Sequence, residues 1–551
     1  MKLRTTFLTI TWILITVCFQ QCKSPKTDET IEVASSTLER APYLNYPVPL
    51  SPKAPFDVDR DLQAKLDAQG KFAEVQRLFE ILSWQQFIRL NWPVDAKGNP
   101  KPLLSDAGKP RWFSWKESFE VFKKDGSKPT PWGDFELPNR VREFAGENKH
   151  VLFRASKFAE FQHDDVADEL DQAFTAPIWD QSGNIVRYEV RMNETEFDYI
   201  VKNELYNYDG QIKFYQANAG KDKVVNFPSA TTDKAGACEV KIAWKIMEEG
   251  VDSKDRYFTS TAQVINEDKT FSTAEVGMIG MHISLKTASS PQWIWATFEH
   301  VDNLETNPLV EVNGKPLRPS FNNPDCPTCP VNAYPEVDTD GKKRNQIQRV
   351  IPISKATQEL NAQVQAMLSK ADSKLKFYDL VGTQWPTDPS SPAYTYGDTS
   401  VYTLPEAVTN KSGGKPTPAY LTNMIMETYF QGGSITPNAK GIDTLKIKQT
   451  YLQNGDSIYG NTITGFNVYN SNEPAFFQIQ GFPLTTDLQN THKNIFGTES
   501  CIGCHFSASI AKDFYVDKKT NQKVPVFAKP ADADFSWLLQ LKAHFKEDIT
   551  Q

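Results

Sequence analysis

The chain has 551 residues and a formal net charge of −8, with 39% hydrophobic and 23% charged residues. This length suits roughly two to four domains of about 150 residues each, and the composition is that of an ordinary globular protein. The acidic balance and the absence of a long Lys/Arg run argue against nucleic acid as a partner.

The N-terminus has the pattern of an export signal. After "MKLR" comes the apolar run "FLTITWILITVCF", which is too short to span a bilayer but fits a signal-peptide core. Cys18 and Cys22 end this run, although neither follows the small residue usual before a lipidated cysteine. We expect a lipoprotein-like signal peptide over 1–22 with lipidation at Cys22, or alternatively at Cys18. The chain would then lie in the periplasm or on the outer membrane or cell surface, held by a lipid anchor, with simple secretion as the alternative.

Composition and patterning predict three further regions. Residues 23–60 are rich in Pro, Ser and Lys, lack periodicity, and read as a flexible tether. Residues 61–345 are predicted to form an α+β body, and residues 346–551 a separate C-terminal region.

The predicted body contains a helix near its N-terminal end. In the stretch from 71 to 93 the residues Phe72, Val75, Phe79 and Leu82 share one helical face, and Pro93 ends the pattern. A second helix is predicted over 354–372, "SKATQELNAQVQAMLSKAD", with Ser354 as its N-cap.

Strand patterns fill the middle of the chain. The segments are "NIVRYEVRM", "KIAWKIM", "EVGMIGMHISLKT" and "PQWIWATFEHVDN", all rich in β-branched and aromatic residues. Alternation in the third places Met278 and His282 on one face and an apolar set on the other: Ile279, Met281, Ile283 and Leu285. The segment "DADFSWLLQLKAHFKEDIT" near the end of the chain is predicted to be an amphipathic helix. The predicted fold is therefore α+β, a large mixed body with a central strand-rich region and a mainly helical C-terminal segment.

That C-terminal segment carries the most specific motif. In "SCIGCHF" the thiols of Cys501 and Cys504 stand one helical turn apart, where they could add to the two vinyl groups of haem, and the adjacent His505 would bind the iron as proximal ligand. With seven Cys and seven His in the chain, about 0.001 accidental matches are expected. We predict one covalent haem c; a disulfide between the two cysteines or a zinc knuckle is the alternative.

The sixth iron ligand is left open by the sequence. No methionine follows Met426, so a downstream methionine ligand is impossible. His282 is preferred, because it lies on a strand in the most apolar part of the body. The alternatives are an open iron or one of four other residues: His300, Met424, Met426 and His544.

Three further cysteines lie in what would be an oxidising compartment. A structural disulfide between Cys326 and Cys329 is expected, since "DCPTC" lies in Pro/Asn-rich loop sequence. Pairing of either cysteine with Cys238, or a redox-active dithiol, remains open.

The chain resembles a group of large, exported, single-haem bacterial proteins of the cytochrome c family. The resemblance rests on "SWQQFIRLNWP", "VRYEVRMNETEFDYI", "PQWIWATFEHVDN", "YDLVGTQWP" and "SCIGCHFSASI", and it covers most of the chain from about residue 75. It implies haem ligation by Cys501, Cys504 and His505 and implies no substrate.

Three functions are compatible with this sequence. The first is electron transfer with redox partner proteins of the envelope. The second is a haem enzyme of peroxidase or oxygenase type, which needs an open or displaceable sixth ligand and a nearby acid/base such as His282, His300 or Glu299. The third is a haem-based binding or sensor protein.

Overall fold

The structure is a computed structural model, and it describes residues 41–137, 142, 150–152, 177–221, 223–231, 234–266, 270–326, 329, 335–349, 353–385, 423–428, 501, 505, 508–529 and 532–547. The two candidate lipidation sites Cys18 and Cys22, and the haem-motif residue Cys504, lie outside these residues. From Tyr43 to the end, the chain belongs to one compact unit.

Seven α-helices occur in the described part of the chain. They are α1 (Arg60–Ala68), α2 (Phe72–Asn91), α3 (Ser118–Val121), α4 (Glu194–Lys202), α5 (Tyr208–Asn218), α6 (Lys355–Lys370) and α7 (Trp537–Leu541).

Fourteen strands accompany them within the same residues. They are β1 (Pro93–Val94), β2 (Lys109–Pro110), β3 (Lys116–Glu117), β4 (Val151–Leu152), β5 (Arg187–Met192), β6 (Cys238–Ile246), β7 (Thr259–Ile265), β8 (Phe271–Leu285), β9 (Ile294–His300), β10 (Asn307–Val312), β11 (Lys315–Leu317), β12 (Tyr378–Gln384), β13 (Ala511–Val516) and β14 (Lys523–Phe527).

Eight of these strands form the central sheet. Its main path runs β12-β9-β8-β6-β5-β3, while β7 pairs with β8 and also with β4. All pairings are antiparallel except that of β4 with β7. The four predicted strand segments are thus confirmed as β5, β6, β8 and β9.

A β-bulge changes the predicted faces of β8. Gly280 pairs with Ala243 and Met278 with Trp244, so Ile279 is an extra residue on β8. Met278 therefore packs with Met281 and Ile283, whereas Ile279 belongs to a different apolar cluster. The predicted alternation was wrong at these two residues, because strict period-2 counting does not survive an inserted residue.

One face of the sheet is covered by α2 and α6. Phe87 of α2 stacks on Phe298 of β9 with ring centroids 4.0 Å apart, and Trp84 meets the same ring edge-on at 5.0 Å. The predicted helix over 71–93 is confirmed as α2, with Pro93 outside it. The second predicted helix is confirmed as α6, whose N-cap Ser354 accepts a hydrogen bond from the Thr357 amide.

The opposite face is covered by α4, α5 and the C-terminal residues from 508 onward. An apolar cluster joins these elements to Met192 of β5 and Trp295 of β9. We call this side of the sheet the C-terminal face.

The predicted fold class was wrong in its C-terminal part. From residue 508 onward, the described residues contain the hairpin β13–β14 and a five-residue helix, α7, which ends at Leu541, so His544 lies beyond it. The segment "KVPVF" of β14 holds a proline and two β-branched valines, which disfavour helix. Asp534 and Phe535 adopt positive φ, which delays the helix start to Trp537. The described residues form a strand-rich sheet with few helices, and they do not show a mainly helical haem segment.

Candidate functional site

His505 is held by a hydrogen bond and by an aromatic wall. Its Nδ1 lies 2.8 Å from the carbonyl oxygen of Phe535. Because a carbonyl only accepts, Nδ1 donates in this hydrogen bond, and in the neutral ring Nε2 then carries the lone pair. The ring also lies against the indole of Trp295, with centroids 4.1 Å apart and planes at 44°. Orientation by a backbone carbonyl through the second nitrogen is the arrangement usual for a metal-binding histidine.

The Phe535 carbonyl is placed by a strained turn. Asp534 has φ of 50° and Phe535 has φ of 71°, and neither is a glycine. A non-glycine residue in this region costs on the order of 1–3 kcal/mol and persists only when its surroundings hold it there. The surroundings of Asp534 and Phe535 must therefore hold the turn in this conformation.

Two buried contacts hold that turn in place. The carboxylate of Asp534 pairs with the ammonium of Lys286 and accepts the Phe227 amide at 2.7 Å. Ser536 donates its hydroxyl to Glu239 of β6 at 2.5 Å. The turn is therefore fixed to the C-terminal face of the sheet through polar contacts on both sides of Phe535.

Burial shifts the pKa values of both side chains in the Lys286–Asp534 pair. It lowers the pKa of Lys286 to about 8, against the attraction of Asp534. It also raises the pKa of Asp534, against the attraction of Lys286 and Lys223. Each side chain thus depends on the other to remain charged in this apolar setting.

The donor set around Cys501 fits a covalent haem. Cys501 is half-buried and packs against the same apolar cluster as Trp295. Within the described residues, two indole N–H groups beside this cluster are buried without a hydrogen-bond acceptor, those of Trp293 and Trp537. A buried donor without a partner is costly, and the propionate groups of haem are acceptors. These groups are ones that a covalent haem can use: a thiol, an oriented imidazole, an aromatic wall and two unpaired N–H donors.

His282 projects from the same sheet face as Trp295. In the β8–β9 register Ser284 pairs with Trp295 and His282 with Thr297, so all four lie on the C-terminal face. The side chain of His282 is 19% exposed, although most of its neighbours on β8 are fully buried.

Glu427 faces His282 from a separate segment. Its Oε1 lies 3.4 Å from Nε2 of His282. Asn423 of the same segment donates to the hydroxyl of Thr297 at 2.8 Å, which holds residues 423–428 on this face. Burial would raise the pKa of Glu427, but His282 and Lys241 outweigh it and the net shift is downward. The result is a half-buried histidine–carboxylate pair on the C-terminal face.

His300 is placed in the core instead. Its Nε2 donates to the Arg256 carbonyl at 3.1 Å, and its Nδ1 accepts the Asp302 amide at 3.1 Å. Its ring stacks on Tyr257 at 3.8 Å. Because both nitrogens are used, His300 has no lone pair available for iron.

The other candidate ligands lie in different settings. Met424 and Met426 are buried in an apolar cluster with Ile279. His544 is half-buried after α7, and its carbonyl accepts the Tyr208 amide at 3.0 Å. Glu299, the other acid/base candidate, is buried, accepts the Met424 amide and pairs with Arg349.

The remaining cysteines lie outside this site. Cys326 and Cys329 form a disulfide. Cys238 is buried on β6 without a disulfide, and burial raises the pKa of its thiol. Neither feature contacts the site around His505.

Sequence reasoning missed the supporting residues. Trp295, Lys286 and Asp534 were not selected, since a tryptophan and an ion pair 248 residues apart carry no local pattern. The only available signal was a lysine directly after a buried strand, in "HISLKT". In the part of the chain that the structure describes, no group of three or more His, Cys, Asp or Glu is arranged to hold a metal ion.

Comparison with known proteins adds nothing to this site. Among the residues described, no helix combines the length and apolarity required to cross a bilayer. No family model matches the chain, and no curated protein or solved structure matches it.

Proposed function

We propose that the chain is a c-type haem protein of the cell envelope that transfers electrons through one haem attached to Cys501, Cys504 and His505. The observation that carries the proposal is the hydrogen bond from His505 to the Phe535 carbonyl, because it orients the imidazole through Nδ1 in the way usual for a metal-binding histidine. A disulfide between the two cysteines would not need an oriented imidazole. A zinc site would also use one, and covalently retained haem would distinguish haem from zinc.

The chain's own residues prepare the site. When bound, haem supplies an iron that changes its charge by one electron. Trp295 excludes water from one side of His505, and the Phe535 carbonyl increases the basicity of its ring. The polar contacts of Asp534 and Ser536 keep that carbonyl in position.

His282 is the proposed sixth ligand. It lies on the same face of the β8–β9 pair as Trp295, and its side chain is partly exposed, whereas those of Met424 and Met426 are fully buried. Glu427 would orient its ring, as carboxylates commonly do for metal-bound histidines.

A haem enzyme is the second candidate function. If His282 does not bind iron, the His282–Glu427 pair at 3.4 Å is an acid/base pair on the haem side of the sheet. Envelope location, the lipid anchor at Cys22 or Cys18 and redox partner proteins are parts of the main proposal that rest on the sequence.

The deciding experiment is the production of the exported chain with a c-type haem maturation system. We expect haem that resists extraction with acidified acetone, and a low-spin spectrum that carbon monoxide does not change. The matched control is Cys501→Ser/Cys504→Ser, which should lose the covalent haem. A high-spin spectrum that shifts with carbon monoxide would favour the enzyme, and a wild-type chain without haem would refute both.

A further inference from the structure

We propose that the hairpin β13–β14 is the docking surface for the electron partner, and that this partner presents an acidic surface around an apolar centre. The inference rests on the proposed function, since it names where the partner binds. It starts from apolar side chains that remain exposed on the hairpin.

The hairpin exposes three consecutive large residues. Phe514, Tyr515 and Val516 are 41%, 55% and 48% exposed, and they are three of the eight exposed large apolar side chains in the described residues. The others are scattered singly along the chain. Because side chains alternate along a strand, Phe514 and Val516 share one face of β13 and Tyr515 lies on the other. Exposed apolar side chains grouped in this way and rimmed by polar residues are typical of an interaction site, whereas single exposed residues are not.

Lysines surround these residues. The stretch from Ala511 to Lys529 contains five lysines and two aspartates, although the whole chain carries a net charge of −8. Lys512, Lys518 and Lys519 are exposed, and the ammonium of Lys523 lies 5.6 Å from the centre of the Phe514 ring. A basic patch on an acidic protein attracts an acidic partner and orients it, because opposite potentials steer encounter.

The hairpin continues directly from the candidate haem segment. Ala511 begins β13 six residues after His505, and its amide donates to Gln211 of α5 at 3.0 Å. Phe527 of β14 packs in the same cluster as Cys501. A partner bound at the hairpin would therefore lie close to the residues that hold the haem.

A membrane surface fits the hairpin less well. Apolar side chains that insert into a bilayer would need to stand at the tip of the hairpin. The tip here is "DKKTNQ", which is wholly polar, and the aromatic residues lie along β13. The arrangement fits the side-on contact of a protein.

The test uses oxidised plant-type [2Fe–2S] ferredoxin, a small acidic redox protein, as the probe in a binding titration. The variant is Lys518→Glu/Lys519→Glu in the exposed turn, and the matched control is Lys315→Glu/Lys355→Glu, two exposed lysines outside the hairpin. At low salt we expect the hairpin variant to bind at least about tenfold more weakly and the control to change less than about twofold. The difference should vanish in 0.5 M salt, where the Debye length is only a few ångströms.

A second variant separates apolar contact from charge. Tyr515→Ser should weaken binding at every salt concentration, since it removes contact area without changing charge. Equal losses in the hairpin variant and the control, or no loss in either hairpin variant, would overturn the proposal. It would also be overturned if the lysine variant lost binding to phosphatidylserine vesicles while binding ferredoxin normally.

Failure of the underlying function has its own readout. Binding is measured without electron transfer, so it reports the surface alone. Reduced ferredoxin, at about −400 mV, is then offered as the electron donor. Salt-dependent binding at the hairpin without haem reduction would refute the electron-transfer function but not the surface.

Discussion

His282 lies on the same face of the central sheet as Trp295, two residue pairs further along the β8–β9 ladder. Since Trp295 packs against His505, the two histidines are on the same side of the molecule although 223 positions separate them in sequence. The proposed sixth ligand can therefore be tested by replacing one residue, His282.

Replacing His282 should open the iron. We expect His282→Ala in the haem-loaded protein to convert a low-spin spectrum into a high-spin one that responds to carbon monoxide, whereas His282→Met should stay low-spin with a raised potential. His544→Ala is the matched control. A low-spin spectrum that persists in His282→Ala would exclude this ligand.

The Lys286–Asp534 pair should be strongly coupled. Lys286→Met leaves the Asp534 carboxylate buried without its main partner, and such single removals cost about 3–5 kcal/mol. Adding Asp534→Asn should recover a large part of the loss, because no buried charge then remains unpaired. Urea unfolding of the wild type, both single variants and the double variant measures the coupling; additive free energies of unfolding would contradict it.

His300 should make stability depend on pH. Burial lowers its pKa from 6.5 to about 4. Between these values the unfolded chain binds a proton that the folded chain rejects, so stability is complete above about pH 6.5 and falls as the pH decreases toward 4. The loss is about 3 kcal/mol, because each pKa unit corresponds to about 1.4 kcal/mol.

The variant His300→Gln isolates that contribution. Urea unfolding at pH 7.5 and pH 5 should show a smaller pH effect in this variant than in the wild type. His544→Gln, which changes a half-buried histidine, should keep the wild-type dependence. Identical pH effects in His300→Gln and the wild type would show that the imidazole is not responsible.

The disulfide between Cys326 and Cys329 should act as a local staple. It closes a loop with a sequence separation of only three, so its removal restores little chain entropy to the unfolded state. We expect Cys326→Ser/Cys329→Ser to lower the free energy of unfolding by at most about 2 kcal/mol and to leave haem reduction unchanged. Loss of electron transfer in this variant would instead indicate a redox-active pair.

Local sequence patterns correctly predicted the helices and strands whose conformation depends mainly on their own residues. The periodicity of α2, the N-cap Ser354 of α6 and the β-branched runs of β5 and β9 were sufficient. The bulge at Ile279 was not predictable, because the extra residue is fixed by pairing with β6, 36 positions away. The prediction of a long C-terminal helix was wrong for a similar reason. The sequence has an amphipathic pattern there, but distant residues hold the turn at Asp534 and Phe535. These residues are Lys286, Phe227 and Glu239.

The same distinction applies to the candidate site. The spacing of the motif identified Cys501 and His505, since covalent chemistry requires neighbouring residues. The motif did not predict the contacts of His505 with Trp295 and with the Phe535 carbonyl. Trp295 lies on β9, and Phe535 lies in a turn thirty residues downstream of His505.

The carbonyl of Phe535 has a consequence for how the protein is made. The motif leaves the ribosome before its orienting partner does, and Trp295 leaves long before either. A chain cut short between residues 505 and 535 would still display both cysteines and the histidine, but its imidazole would be free to rotate. The chain must therefore extend past Phe535 before the His505 ring can be held by that carbonyl.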